Sequence, residues 1–193
     1  MVHSSLVSKA ISIASKFHAP KHVAIIYSSK NKILGIGLNN DRGSALGISE
    51  LSSVHAEVDA LMSVYGSNAR NIIKYVLHNK RARKPKKLKK SSLLVIRSNH
   101  TCVLSNSKCC CLCVSFMKKF AINKISYSTA DGTVIDTNLR EITSFISSGL
   151  RIHLAVIDGH SKVWALIERD LVRVQVEKPK KRKFLYDYSI VDT

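Results

Sequence analysis

Hydrophobic positions in the first forty residues change from helical spacing to extended spacing. Between Ser5 and Phe17, apolar residues recur every three or four positions, which predicts a first helix with one buried stripe. Residues 22–28 and 33–38 are short apolar or β-branched runs separated by four polar residues, the layout of a hairpin. The pattern therefore predicts a helix followed by two paired strands.

The middle of the chain continues this alternation of helices and strands. Residues 39–53 are rich in Gly, Ser and Asn and predict a loop, after which a second helix begins near Val54. The apolar run 92–97 predicts a strand buried on both faces, followed by a hairpin-like stretch. A third helix is predicted at 110–120 and a fourth strand at 125–128. Helices that return the chain to one sheet indicate an α/β fold, a three-layer α/β/α sandwich.

The last quarter of the chain reads as an extension of this domain. Further strands are predicted for three apolar runs: residues 152–157, 163–167 and 172–176. We therefore expect one domain over residues 1–145, with a basic insertion at 79–90. Residues 146–193 are expected to form a β-rich C-terminal extension that carries a second basic run at 178–183.

The net charge of +18 is concentrated in those two basic runs. They supply 13 of the 31 Lys and Arg residues and contain no acid, so the rest of the chain holds 18 basic against 13 acidic residues. Clustered cations displace counterions from phosphates, which favours a polyanionic partner. The predicted nucleic-acid contacts are the eight basic residues of the insertion: Lys80, Arg81, Arg83, Lys84, Lys86, Lys87, Lys89 and Lys90.

The basic runs have three interpretations that the sequence leaves open. Both can be a solvated loop and tail whose charge only aids solubility. The KPKKRK stretch at 178–183 is similar to a nuclear import signal, which places the nucleus among the expected locations. The insertion at 79–90 can instead guide the phosphate backbone of a nucleic acid.

Five cysteines are present, and four of them fall within residues 109–113. This layout is poor for disulfides but natural for thiolate ligands, which indicates a reducing, intracellular compartment. The fifth, Cys102, is expected in the core. No window approaches the roughly 20 apolar residues that cross a bilayer, so we expect no membrane insertion.

The spacing of His55, Glu57, Cys110 and Cys113 predicts a metal site. The two cysteines are three apart, so both thiols lie on one face at the amino end of a helix, as half of a zinc site. His55 and Glu57 diverge by about 200° along a helix and converge only beyond its tip, where a metal and its water fit. The alternatives are a core or surface histidine, and cysteines that are buried small hydrophobes or a redox pair.

The sequence VHAE at 54–57, followed by SKCCCLC at 107–113, resembles the cytidine and deoxycytidylate deaminase superfamily. The signature of that family is H-A-E with a later P-C-x-x-C. Residues 33–39 (ILGIGLN) and 122–128 (INKISYS) are similar to the family's second strand and to the strand after its cysteine helix. The chain departs from the pattern at Cys109, where the family has proline.

This resemblance implies a sandwich of the cytidine-deaminase type and a zinc-dependent hydrolytic deaminase. The substrate would be a cytosine-type base in a nucleotide or in single-stranded nucleic acid. By resemblance, Zn²⁺ is held by His55, Cys110 and Cys113, and Glu57 is the general acid and base. The Ala56 amide would bind the substrate carbonyl, and Asn39 the sugar.

A second hypothesis is a catalytically silent protein of the same fold. Its three consecutive thiols and its Lys-rich insertion look like those of members from large DNA viruses and fungi. Such a protein would serve as a structural or nucleic-acid-binding component, for example in a virion. The resemblance also implies a homo-oligomer or a larger assembly.

Overall fold

The computed structural model describes residues 2–40, 54–78 and 86–142. The helices are α1 Ser4–Ala14, α2 Ala56–Tyr65, α3 Ala69–His78 and α4 Cys111–Lys119, with short 3-10 turns at Gly66–Asn68 and Lys86–Leu88. The strands are β1 Lys21–Ser28, β2 Ile33–Leu38, β3 Ser91–Ser98, β4 Lys124–Ser128 and β5 Val134–Asn138. Within these ranges every helix is too short or too polar to cross a bilayer.

The five strands form one mixed sheet in the order β2-β1-β3-β4-β5. β1 pairs antiparallel with both β2 and β3, β3 pairs parallel with β4, and β4 pairs antiparallel with β5. One edge of the sheet therefore collects the end of β2, the ends of β3 and β4 at Ser98 and Ser128, and the start of β1 at Lys21. We call it the carboxyl edge.

Helices cover both faces of the sheet. Alternate residues of β1 point to opposite sides, so Val23 and Ile25 pack on one side while Ala24 and Ile26 pack on the other. α1 covers the first side through its buried stripe of Leu6, Ala10 and Ala14. The larger core, on the second side, lies between the sheet and α2, α3 and α4. The structure is thus a mixed α/β fold with two hydrophobic cores.

Most of the elements expected between residues 4 and 128 are present. The hairpin, the strand after the basic insertion, the cysteine helix and the strand after it all lie within two residues of their predicted bounds. The hairpin-like stretch after β3 is a turn followed by a single bridge between Arg97 and Ser105. The predicted extension and its strands lie outside the described residues.

Two elements and one burial state were not predicted. The sequence predicts a single helix that begins near Val54, but a further helix, α3, follows it, and Gly66, with a positive φ of 57°, separates α2 from α3. β5 was missed because its residues are half-exposed and show no apolar alternation. Cys102 was expected in the core and is exposed, because it lies at φ 59° in a turn closed by its own N–H and the Asn99 carbonyl.

Two glycines allow β2 to pack directly against the backbone of α2. A Cβ atom at Gly37 would collide with the Ala60 nitrogen and the Ala56 carbonyl oxygen. At Gly35 the same atom would lie 2.5 Å from the Ala60 carbonyl oxygen. The close approach fixes the start of α2 against the end of β2.

Replacing Gly37 with alanine should destabilise the protein by about 3 kcal/mol or more, because neither backbone can move without opening the core. Urea unfolding followed by circular dichroism measures this loss. Gly132→Ala is the matched control, since its Cβ meets no atom and the strain of φ +84° costs only about 1–2 kcal/mol. Equal losses in the two variants would contradict the close packing.

Paired backbone hydrogen bonds join Asn40, just after β2, to Val54, just before α2. The Asn40 N–H donates to the Val54 carbonyl at 3.0 Å, and the Val54 N–H donates to the Asn40 carbonyl at 2.8 Å. Because His55 directly follows Val54, this bridge places His55 at the carboxyl edge of the sheet.

Candidate metal centre

Two helices begin at the carboxyl edge, and each has a predicted metal ligand at its N-cap. His55 caps α2 and Cys110 caps α4, both with extended backbone conformations. Neither side chain makes the usual capping hydrogen bond to its own helix. Both ligand atoms are therefore free to turn toward each other across the space between the two helix ends.

Buried serines fix the segment that leads into the cysteines. The Ser107 hydroxyl donates to the Val95 carbonyl at 2.7 Å and accepts the Ser128 N–H at 2.8 Å. The Ser107 N–H donates in turn to the Ser128 carbonyl at 2.9 Å. The segment is thus held across the ends of β3 and β4, two residues before Cys109.

The three predicted zinc ligands lie close together. His55 Nδ1 is 3.4 Å from Cys110 Sγ and 3.3 Å from Cys113 Sγ, and the three atoms all lie within 4.8 Å of one another. Zinc bonds of about 2.0 Å to nitrogen and 2.3 Å to sulfur, at a tetrahedral angle, separate the two ligand atoms by about 3.5 Å. The spacing is therefore compatible with a zinc ion.

Neither of the other two neighbouring thiols belongs to this group. In the described part of the chain, the side chains that can share a metal are His55, Cys110 and Cys113. Cys111 is buried elsewhere, and this burial raises the pKa of its thiol to about 12. Three protein ligands are typical of a catalytic zinc site, because the fourth position stays open.

Without a metal, the three ligands share their protons unequally. The Cys113 thiol donates a hydrogen bond to Cys110, which together with the His55 ring lowers the pKa of Cys110 to about 5. The hydrogen bond to Cys110 raises the pKa of His55 to about 9. The same neighbour raises the pKa of Cys113 well above its ordinary value. At neutral pH the cluster therefore holds a thiolate beside an imidazolium and a thiol.

Glu57 lies in the first turn of α2, two residues after His55, and is only 5% exposed. A buried carboxylate at a helix amino end is favoured by the helix dipole. Its hydrogen-bond donor is the thiol of Cys109, the residue at the position of the family proline. Burial and the charge of Glu57 raise the pKa of that thiol well above its ordinary value. Cys109 thus contacts the predicted proton carrier and not the predicted metal position.

The two residues predicted to bind substrate both lie at the carboxyl edge. Asn39 Oδ1 accepts the backbone N–H of His22 at 3.1 Å, so its side chain joins the end of β2 to the start of β1. Ala56 is fully buried as the first residue of α2. Their roles toward a substrate stay predictions.

The basic insertion is described only at its end. Lys87 donates to the Val64 carbonyl at 2.6 Å and lies 5.5 Å from the centre of the Tyr65 ring, so it closes the carboxyl end of α2. Lys89 and Lys90 are exposed. Four of the predicted contacts and the side chain of a fifth lie outside the described residues: Lys80, Arg81, Arg83, Lys84 and Lys86.

Sequence reasoning missed two residues that line this region, His22 on β1 and Arg97 on β3. They are cross-strand partners on the face that carries Ala24 and Val95, which is the face of α2 and α4. Burial lowers the pKa of His22, and the charge of Glu57 opposes that shift. The signal available in the sequence was spacing: His22 and Arg97 each lie two positions from a core residue of the same strand, and alternate residues of a strand share a face.

A scan of the sequence against models of known protein families finds no match, and a search among curated proteins finds no relative. A functional assignment therefore depends on the geometry of the metal centre.

Proposed function

We propose that this protein is a zinc-dependent hydrolytic deaminase that acts on a cytosine-type base in a nucleotide or in single-stranded nucleic acid. The observation that carries the proposal is the convergence of His55, Cys110 and Cys113 within 4.8 Å, beside the buried carboxylate of Glu57. One imidazole and two thiolates that bind zinc, with an adjacent glutamate that does not bind it, are the arrangement of nucleobase deaminases.

The chemistry divides between the metal and the side chains. Zinc in such a site lowers the pKa of water toward about 7. Glu57 accepts a proton from water and delivers it to the amine of the base. The water oxygen adds to the amine-bearing carbon, its second proton passes to the neighbouring ring nitrogen, and the carbon–nitrogen bond breaks so that ammonia leaves and a carbonyl remains. The buried position of Glu57 excludes bulk water from this proton transfer.

The fold supports the same assignment. A mixed sheet with helices on both faces agrees with the three-layer sandwich that the resemblance implies. Both helices that supply ligands begin at one edge of the sheet, where α/β proteins commonly place their sites. The assignment to the cytidine-deaminase type is part of the proposal.

A second candidate is a silent protein of this fold that binds nucleic acid or assembles into a larger structure. The contact between the Cys109 thiol and Glu57 favours it, because a donor on the carboxylate competes with water for the same oxygen atoms. Under this hypothesis Glu57→Ala leaves the biological role intact. Replacing the lysines of the insertion with neutral residues abolishes that role.

The first test is the zinc content of the purified protein, measured by elemental mass spectrometry. We expect about one zinc per chain in the wild type and about none in the Cys110→Ser, Cys113→Ser double variant. Cys102→Ser, an exposed cysteine outside the cluster, is the control and should keep its zinc. A folded wild-type protein without zinc would remove the basis of the proposal.

Ammonia release then distinguishes the two candidate functions. Zinc-loaded protein is incubated with cytidine, cytidine monophosphate and short single-stranded DNA and RNA that contain one cytosine. Ammonia together with a gain of about 1 Da in the base, the net replacement of NH by O, supports the deaminase. No product from any substrate favours the silent protein.

A further inference from the structure

Arg97 and His22 lie side by side at the carboxyl edge, next to the metal centre. The two residues are paired across β3 and β1. Both stand on the sheet face that packs against α2 and α4, the helices that supply His55 and Cys110. His22 experiences the charges of Glu57, Arg97 and His55 together. His22 therefore lies within electrostatic range of the metal centre, and Arg97 lies directly beside His22.

The backbone of Arg97 is held from both sides. Its N–H donates to the Ser128 hydroxyl at 3.1 Å, and its carbonyl accepts the Ser105 N–H at 2.8 Å. These bonds fix the backbone of Arg97 at the end of β3 but do not involve its side chain. The Cα atom of Arg97 is thus held at a fixed point beside His22.

The Arg97 side chain lacks a partner for its inner nitrogen. Nε is buried and has no hydrogen-bond partner among the described residues. A buried donor without an acceptor is costly, and the cost is greater for a charged group. An anion that binds beside this cationic group can accept the missing hydrogen bond.

Phosphate is the anion that suits this position. A planar guanidinium presents parallel N–H donors that match two oxygens of a phosphate or carboxylate. His22 adds a polar ring beside it at the same edge of the sheet. The proposed substrate is a cytosine derivative, and the anionic group of such a compound is its phosphate.

We infer that Arg97, with His22 beside it, binds a phosphate group of the substrate, so that the metal centre selects nucleotides over nucleosides. The inference rests on the proposed function for the identity of the base. The phosphate can belong to a free nucleotide or to the backbone of a single strand, and the chemistry at Arg97 is the same in both.

A different role for Arg97 makes a different prediction. If the guanidinium only balances the charge of Glu57, its loss weakens the binding of every substrate by the same factor. If the guanidinium binds phosphate, its loss weakens the binding of nucleotides but not of nucleosides. The ratio of nucleotide to nucleoside affinity therefore separates the two roles.

The experiment compares Arg97→Gln with the wild type in zinc-loaded full-length protein. Binding of cytidine, cytidine monophosphate and a single-stranded oligonucleotide is measured by calorimetry, and kcat/KM is measured on the same set. We expect Arg97→Gln to lower nucleotide affinity about 10- to 100-fold and to leave cytidine within about twofold. Arg97→Lys keeps the charge and should recover part of the loss, and the exposed Arg140→Gln is the control.

Each outcome has a defined meaning. An effect on cytidine monophosphate assigns the site to free nucleotides, and an effect on the oligonucleotide alone assigns it to a strand backbone. Equal losses for cytidine, its monophosphate and the oligonucleotide, or equal affinities for all three in the wild type, would overturn the inference. If no substrate is converted but nucleotide binding still depends on Arg97, the proposed function fails and the phosphate site stands.

Discussion

Replacing Glu57 with glutamine should lower kcat by about 10²- to 10⁴-fold and leave zinc bound. Glutamine has the same shape as glutamate but cannot take a proton from water or deliver it to the departing amine. The metal should stay because Glu57 is not one of the three residues that share the metal position. The test measures ammonia release and zinc content on the same preparation.

Asp59→Asn is the matched control for this variant. Asp59 is the other acidic residue in the first turn of α2, and its carboxylate accepts the Leu38 N–H at 2.9 Å. Asparagine keeps an acceptor at that position, so we expect turnover within a few-fold of the wild type. Full activity in Glu57→Gln would refute the assigned proton carrier, and loss of zinc would mean that Glu57 also supports the metal.

Zinc affinity should rise about 100-fold for each pH unit between pH 5 and 9. The metal requires all three ligands without protons. In this range the metal-free protein keeps a proton on His55, whose pKa is raised to about 9, and on Cys113, whose pKa is raised well above its ordinary value. Cys110, with a pKa lowered to about 5, is already a thiolate. Zinc therefore displaces two protons, and higher pH favours its uptake.

Competition with a chromophoric chelator at about pH 5.5, 6.0, 7.0 and 8.0 measures how steeply the zinc affinity rises with pH. The interval below pH 6.5 is decisive, because ligands with their ordinary pKa values of 6.5 and 9.0 would release three protons there. A slope of three in that interval would show that Cys110 is not ionised before zinc arrives. Cys102→Ser should give the same slope as the wild type, since that thiol is exposed and outside the cluster.

The sequence was sufficient to predict the elements that carry the ligands. The first three strands in the chain have strong apolar runs, and the cysteine helix begins within one residue of its predicted start. The ligands lie at helix ends, where local spacing decides which side chains share a face. Their convergence therefore needed only the assumption that both helices start at one edge of the sheet.

The missed features depend on pairings between distant parts of the chain. The neighbourhood of His22 and Arg97 follows from the register of β1 against β3, which the sequence of either strand does not specify. β5 carries exposed Ile135 and polar neighbours, so its sequence did not indicate an edge strand. The contact of Cys109 with Glu57 also joins residues 52 positions apart, one just before α4 and the other in α2.

The backbone bridge between Asn40 and Val54 allows residues 41–53 to change in sequence independently of the metal centre. Because the two hydrogen bonds fix both ends of residues 41–53, changes in the length or composition of that segment leave the position of His55 unchanged. Such a segment can vary in sequence while the arrangement of the three predicted metal ligands is conserved. Related chains are therefore expected to differ most between these two residues and least immediately after them.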